Sequence, residues 1–194
     1  MGGRGASGSK GGAGGISQNR VRESGNAIML RFRGDGNEHS ITLDEKGKII
    51  ASKTGTNDTI EYSSSEIEKM ENAQLFIHNH PSGSSFSISD LIFARQAKLK
   101  NIRVVSDDWT YDLQPEKGGS WSSRLGSELK VEIDRLLPKY QKRYDYLRVP
   151  LLDKEAAKIA WQEHSHAAMR NIANKFSLVY IRTKNTSYWK ENYK

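Results

Sequence analysis

Polar and apolar residues alternate along EHSITLD (38–44), and the runs AIMLRFR (27–33) and KIIAS (48–52) on either side are rich in strand formers. The turn sequences GDGN and EKG separate the three, so the pattern predicts a meander of antiparallel strands. The period then lengthens. SSSEIEKMENA (63–73) offers Ser63 to Ser65 as N-caps and places Glu66 and Glu68 in a first turn, which predicts a helix. QLFIHNH (74–80) predicts a strand with Leu75, Ile77 and Asn79 on one face and Phe76, His78 and His80 on the other. A Pro-Ser-Gly turn at 81–83 leads into a second helix, SISDLIFARQAKLK (87–100), with Ile88, Leu91, Ile92 and Ala94 or Arg95 marking its inner stripe. IRVVS (102–106) and WTYDLQP (109–115) predict two further strands joined by a turn, and EKGGSWSS (116–123) a loop.

Beyond residue 124 the apolar period is helical. Leu125, Leu129, Ile133, Leu136 and Tyr140 recur at that spacing, with Pro138 expected to kink or end the helix. A further helix is expected to begin at Asp153 as N-cap and to carry Ala157, Trp161, His164, Ala168 and Ile172 on one face. FSLVYIR (176–182) predicts a closing strand, and the final stretch NTSYWKENYK receives no assignment. No internal repeat is visible. Interleaved strands and helices with hairpin-like connections predict an α/β or α+β fold, its mixed, mostly antiparallel sheet flanked by helices.

Composition divides the chain into three. The glycine-rich start, MGGRGASGSKGGAGG, can bury no apolar area, so residues 1–22 are expected to form a disordered basic tail. Residues 23–123 are expected to form the core domain, and 124–194 a helical extension with a closing strand that packs on it. The net charge of +7 is uneven: residues 23–123 hold 11 basic against 15 acidic side chains, whereas 124–194 hold 15 against 8. Basic ends admit nucleic acid or an acidic partner, although solvated helix faces and a tail account for the same charges. With no cysteine, disulfides and thiolate metal sites are excluded, and any metal must use His and carboxylate. No apolar run long enough to span a bilayer and no signal-peptide core are visible, so a soluble, cytoplasmic protein is expected.

The chemistry concentrates in HNHPSGSSFSISD (78–90). On a strand, residues i and i+2 point to the same side with Cα atoms about 6–7 Å apart. His78 and His80 can therefore converge on one ion. After the turn, Asp90 in the first turn of the next helix can supply a third ligand, leaving the fourth tetrahedral position open, as in catalytic rather than structural zinc sites. Ser87 and Asp90 also make an ordinary capping box, which requires no metal. His164 falls on an apolar helix stripe and reads as a core residue. His166, two positions on, points elsewhere, and His39 faces the opposite side of its strand from Glu38. The four tryptophans point to core packing or a substrate surface.

HNHPSG followed by S-x-x-D resembles the JAMM motif of the JAB/MPN metalloprotease family, written there as a Glu, then His-x-His-Pro, then Ser-x-x-Asp. The HNHPSG wording is similar to the RadC-like bacterial branch, and PSGSSFS-x-x-D to JAB-domain proteins of bacteriophages and mobile elements. The opening MGGRGAS resembles small proteins from such elements. The resemblance spans roughly residues 26–113. It departs at one point: Asp90 lies ten residues after His80, where the family pattern has eleven.

The resemblance implies a JAB/MPN-like (cytidine-deaminase-like) core with a helical C-terminal extension. It also implies zinc held by His78, His80 and Asp90, an upstream glutamate as general base, and Ser87 donating a hydrogen bond to an oxyanion. Among Glu23, Glu38, Glu45 and Glu61, Glu38 matches best because it opens a strand ahead of a D-x-x-G-like turn, with Glu23 second. The implied activity is hydrolysis of a peptide or isopeptide bond in a protein substrate, including a ubiquitin-like conjugate or a phage or mobile-element protein, in a bacterial host or phage-encoded. The alternative is a non-catalytic MPN-like module that binds protein or nucleic acid through its basic helices. A third reading loads the same ligands with iron for oxygen chemistry.

Overall fold

The computed structural model describes residue 28, residues 35–147 and residues 154–185, the side chains of 142–147 and 154–157 excepted. Six strands form one sheet: β1 (His39–Leu43), β2 (Ile49–Thr54), β3 (Leu75–Asn79), β4 (Ile102–Val105), β5 (Trp109–Pro115) and β6 (Leu178–Lys184). Their order is β2-β1-β3-β4-β5-β6, and every neighbouring pair is antiparallel except β3–β4. Four helices flank the sheet among the described residues: α1 (Ser64–Met70), α2 (Ile88–Gln96), α3 (Leu125–Leu147) and α4 (Lys154–Lys175). The class is α+β with a mixed sheet. The single parallel pair follows from the connection, since a crossover through α2 returns the chain in the direction in which β3 left it.

Strand periodicity divides the core in two. Leu75 and Ile77 of β3 join Ile28, Ile41, Leu43 and Val105 on one face of the sheet. Phe76 joins Val104, Tyr111 and Leu113 on the other, where they meet Leu91 and Ala94 of α2, Leu125 and Leu129 of α3, and Met169 and Ile172 of α4. The extension thus shares a core with the sheet. Each fully buried Leu or Ile contributes about 1.5–3 kcal/mol relative to exposure, so this helix-covered face is a major source of stability. His78 and His80 emerge on this face by the same alternation that buries Phe76.

Several expectations change. Ile28, the one described residue of AIMLRFR, is helical rather than extended; the rest of that stretch, the tail 1–22, Asp153 and the residues after Asn185 lie outside the described residues. Pro138 does not end its helix, because α3 runs through it to Leu147. Leu136 and Tyr140, on either side of the proline, are both buried, and Tyr140 stacks on His164 of α4 at 5.0 Å. This packing holds both halves in one helix despite the lost N–H. Helix α2 stops at Gln96, short of the expected Lys100, and the chain turns through Lys98 at φ +47°.

Ile92 is 42% exposed instead of lying on the inner stripe, since α2 buries Leu91 and Ala94 against the sheet. Trp161 is likewise 40% exposed. The buried side of α4 holds Ala160, Gln162 and Ser165 along with the expected His164, Ala168 and Ile172. The stripe is shifted because this helix covers a loop as well as the sheet.

Candidate metal centre

The two histidines reach one point because the sheet alternates. His78 lies in β3 and His80 one residue past its end, both are buried, and their Nε2 atoms are 3.0 Å apart. The chain then reverses at Gly83, whose φ of +76° suits a residue without Cβ and whose N–H donates to the His80 carbonyl at 2.9 Å.

Helix α2 brings in the carboxylate through its cap. The Ser87 hydroxyl accepts from the Asp90 N–H at 3.1 Å, while Asp90 Oδ2 accepts from the Ser87 N–H at 2.6 Å. This reciprocal box sets the phase of the first turn. Asp90 Oδ1 then stands 2.9 Å from His78 Nε2, and Oδ2 stands 3.4 Å from His80 Nε2. The ten-residue spacing therefore delivers Asp90 to the histidines, with Ser87 as its cap.

Glu38 arrives from the neighbouring strand. Strands β1 and β3 pair with Ser40 opposite His78, and continuing that register sets Glu38 across from His80. Its carboxylate is buried, with Oε1 3.8 Å from His80 Nε2. The backbone on its other side is tied to the loop after β2, where the Glu38 N–H donates to Thr56 and the Gly55 N–H donates to Glu38. Of the other glutamates, Glu45 and Glu61 are exposed, and Glu23 lies outside the described residues.

Burial pushes the Glu38 carboxyl above its ordinary range, although positive charge on His80 and His78 would oppose that. For Asp90, burial acts in the same upward direction, but the two imidazoles outweigh it and hold the carboxyl well below its usual value. His80 is the counterpart: burial alone would lower it, and the Asp90 charge reverses the sign. One wall thus carries two carboxyl groups whose pKa values are displaced in opposite directions.

The Nδ1 of His80 is held by the turn that follows it. That nitrogen lies 3.3 Å from the Ser84 carbonyl oxygen, which can only accept, and 3.2 Å from the Ser84 hydroxyl; a proton on Nδ1 satisfies the carbonyl and leaves the Nε2 lone pair facing His78 and Asp90. Ring nitrogens held in this way by a backbone carbonyl are characteristic of metal-ligating histidines.

The donor set fits a divalent cation. Nitrogen and oxygen ligands with bonds near 2.0–2.1 Å around one tetrahedral ion are separated by about 3.3 Å. His78, His80 and Asp90 form the group whose ligand atoms converge, with nearest approaches of 2.9, 3.0 and 3.4 Å. They open onto a cleft of about 240 Å³ that Glu38 and Ser87 also line. Its apolar wall is Tyr62, Phe76 and Phe93; Tyr62 stacks on Phe93 at 4.8 Å and hydrogen-bonds Ser40 through its hydroxyl. Among the described residues, no Lys or Arg lines this cleft.

The remaining histidines stay apart from it. His164 is fully buried, with Nε2 2.8 Å from the Ile133 carbonyl, and His166 Nδ1 pairs with the Tyr180 hydroxyl. His39 faces Asp35 and Thr54. Sequence reasoning placed Asn79 with the apolar face and gave it no role, yet its amide grips the segment that carries Glu38. An amide between two histidines on the core face of a strand was the available signal. A scan of the chain against protein-family models found no match, and searches of curated proteins and of solved structures found none either.

Proposed function

We propose that this chain is a zinc-dependent peptidase or isopeptidase of JAMM type, built on a JAB/MPN-like (cytidine-deaminase-like) core. The observation that carries the reading is the buried Glu38 carboxylate beside a converging His78–His80–Asp90 set, in a cleft that no Lys or Arg lines among the described residues. Such a cleft suits a peptide backbone better than a phosphodiester, whose charge calls for basic residues, and this weighs against nucleic acid as substrate.

His78, His80 and Asp90 would hold the ion. When bound, zinc supplies an acidified water and a Lewis-acid contact for a carbonyl oxygen. Glu38 takes the proton of the attacking water and later delivers it to the leaving amine, as the scissile C–N bond breaks and the carbonyl carbon becomes a carboxylate. Its burial supports the second half of that cycle, because a desolvated carboxyl holds a proton more readily. The Ser87 oxygen already accepts from the Asp90 N–H, so its own proton is free to be donated to the developing oxyanion. The Tyr62–Phe93 pair offers an apolar wall to a substrate side chain. The substrate class is a protein or peptide, with a ubiquitin-like conjugate or a phage or mobile-element protein as the candidates to test.

The test is metal content by mass spectrometry together with hydrolysis of lysine-linked isopeptides and linear peptides. One zinc per chain and chelator-sensitive cleavage are expected for the wild type. Glu38→Gln should retain zinc and lose at least about 100-fold in kcat, the usual scale of a general base. Full metal-dependent hydrolysis by Glu38→Gln would remove Glu38 from the mechanism. A protein with neither stoichiometric zinc nor hydrolysis would instead be the non-catalytic binding module.

A further inference from the structure

Helix α4 and the turn after His80 are joined by a chain of hydrogen bonds that passes through one peptide group. The carbonyl of Ser84 lies 3.3 Å from His80 Nδ1, beside the hydroxyl of the same residue at 3.2 Å. The N–H of the same peptide unit, belonging to Ser85, donates to the Ser165 hydroxyl at 3.0 Å. That hydroxyl in turn donates to the Gln162 carbonyl one turn earlier in α4, at 3.0 Å. A peptide group is planar and trans, so fixing the direction of its N–H fixes the direction of its C=O.

The surroundings leave this group little freedom. Ser85 and Ser165 are buried, so no solvent replaces either partner. The Gln162 side chain presses on the turn so closely that a Cβ at Gly83 would fall 2.2 Å from its Nε2. From the sheet side, the Tyr111 hydroxyl donates to the Gly83 carbonyl at 3.3 Å. The turn is thus gripped between β5 and α4, and α4 supplies the contact in line with the His80 ring.

We infer that Ser165 is a positioning residue of the metal centre: through the Ser84–Ser85 peptide it fixes the carbonyl that receives the His80 Nδ1–H, and with it the ring orientation that presents Nε2 to the ion. The inference rests on the metal-centre reading above and extends it to the C-terminal helix, eighty-five positions beyond His80. The extension is then part of the site and not only a cover for the sheet.

The test compares wild type, Ser165→Ala, Ser165→Thr and Ala168→Gly, the last weakening the same helix one turn along without touching the turn after His80. Zinc affinity is measured by competition with a chromophoric chelator, and the His80 ring tautomer by ¹⁵N NMR of metal-free protein. Ser165→Ala should lose about tenfold in zinc affinity, the low end of the range for groups that orient a ligand. Its His80 should also carry a smaller Nδ1–H fraction than the wild type at the same pH. Ser165→Thr, which keeps the hydroxyl, should restore both, and Ala168→Gly should change neither. A Ser165→Ala protein with unchanged affinity and tautomer would overturn the inference, as would an equal loss in Ala168→Gly. If the wild type binds no zinc, the functional reading fails, while the tautomer measurement still decides the role of Ser165.

Discussion

Asn79 holds Glu38 by its neighbours: its amide oxygen accepts from the His39 N–H at 2.7 Å, and its amide nitrogen donates to the Asn37 carbonyl at 2.9 Å. The residue between the two histidines therefore fixes the backbone on both sides of the glutamate. Strand alternation turns His78 and His80 toward the cleft and Asn79 away from it, where it meets the entry to β1.

Replacing Asn79 by alanine leaves the buried His39 N–H and the part-buried Asn37 carbonyl without this partner, at a cost of about 1–3 kcal/mol for the buried group. Asn79→Ala is expected to keep its zinc and to lose at least about tenfold in kcat, because a general base must stay within hydrogen-bond reach. Urea denaturation and turnover at saturating substrate measure the two effects. Unchanged turnover would show that β1 holds Glu38 unaided.

Ser87 combines two roles that substitution can separate. Ser87→Ala removes the cap on α2 and should cost about 0.5–2 kcal/mol, whereas Ser87→Asn, another good cap, should recover most of it. Neither variant retains the hydroxyl, so both should hydrolyse peptide poorly. Stability recovery without activity recovery assigns the hydroxyl to chemistry; joint recovery assigns it to capping alone.

Zinc binding should register as stability. A ligand at a thousand times its Kd stabilises the folded state by about 4 kcal/mol. For a domain of this size that raises Tm by on the order of 10 °C. Differential scanning fluorimetry with and without zinc should show the shift in wild type, and His80→Ala should abolish it. A variant that keeps the full shift would place the ion elsewhere.

The pH dependence of stability should carry a signature of His166. Burial, reinforced by the charge of Arg182, lowers its pKa from 6.5 to about 4. The Tyr180 hydroxyl at Nδ1 also suits a neutral ring. Because the folded-state value is depressed, the unfolded chain binds the proton first as pH falls. The associated stability is complete above pH 6.5 and is lost progressively toward pH 4. His166→Gln should flatten that part of the urea-midpoint curve relative to wild type. Parallel curves would remove His166 as its source.

Much of the site was legible because it is local. The His-x-His pair depends only on strand alternation, and the Ser87–Asp90 box closes within one helical turn. The same short-range rules placed β1 through β5 and located the buried run from Leu125 to Tyr140. They failed where packing outweighed propensity: at Pro138, carried inside α3 by contacts on either side, and at Trp161 and Ile92, left exposed by the way their helices sit.

By itself, then, the sequence determined which residues share a strand face or a helix turn, since those relations are set by backbone periods over a few residues. The resemblance favoured Glu38, but only tertiary structure sets its carboxylate beside His80, because this depends on β1 pairing with β3 in one register. It likewise decided that Asn79 braces Glu38 and that Ser165 braces the turn after His80. Those contacts join segments tens of residues apart, and they form only when burial of a common core brings the segments together.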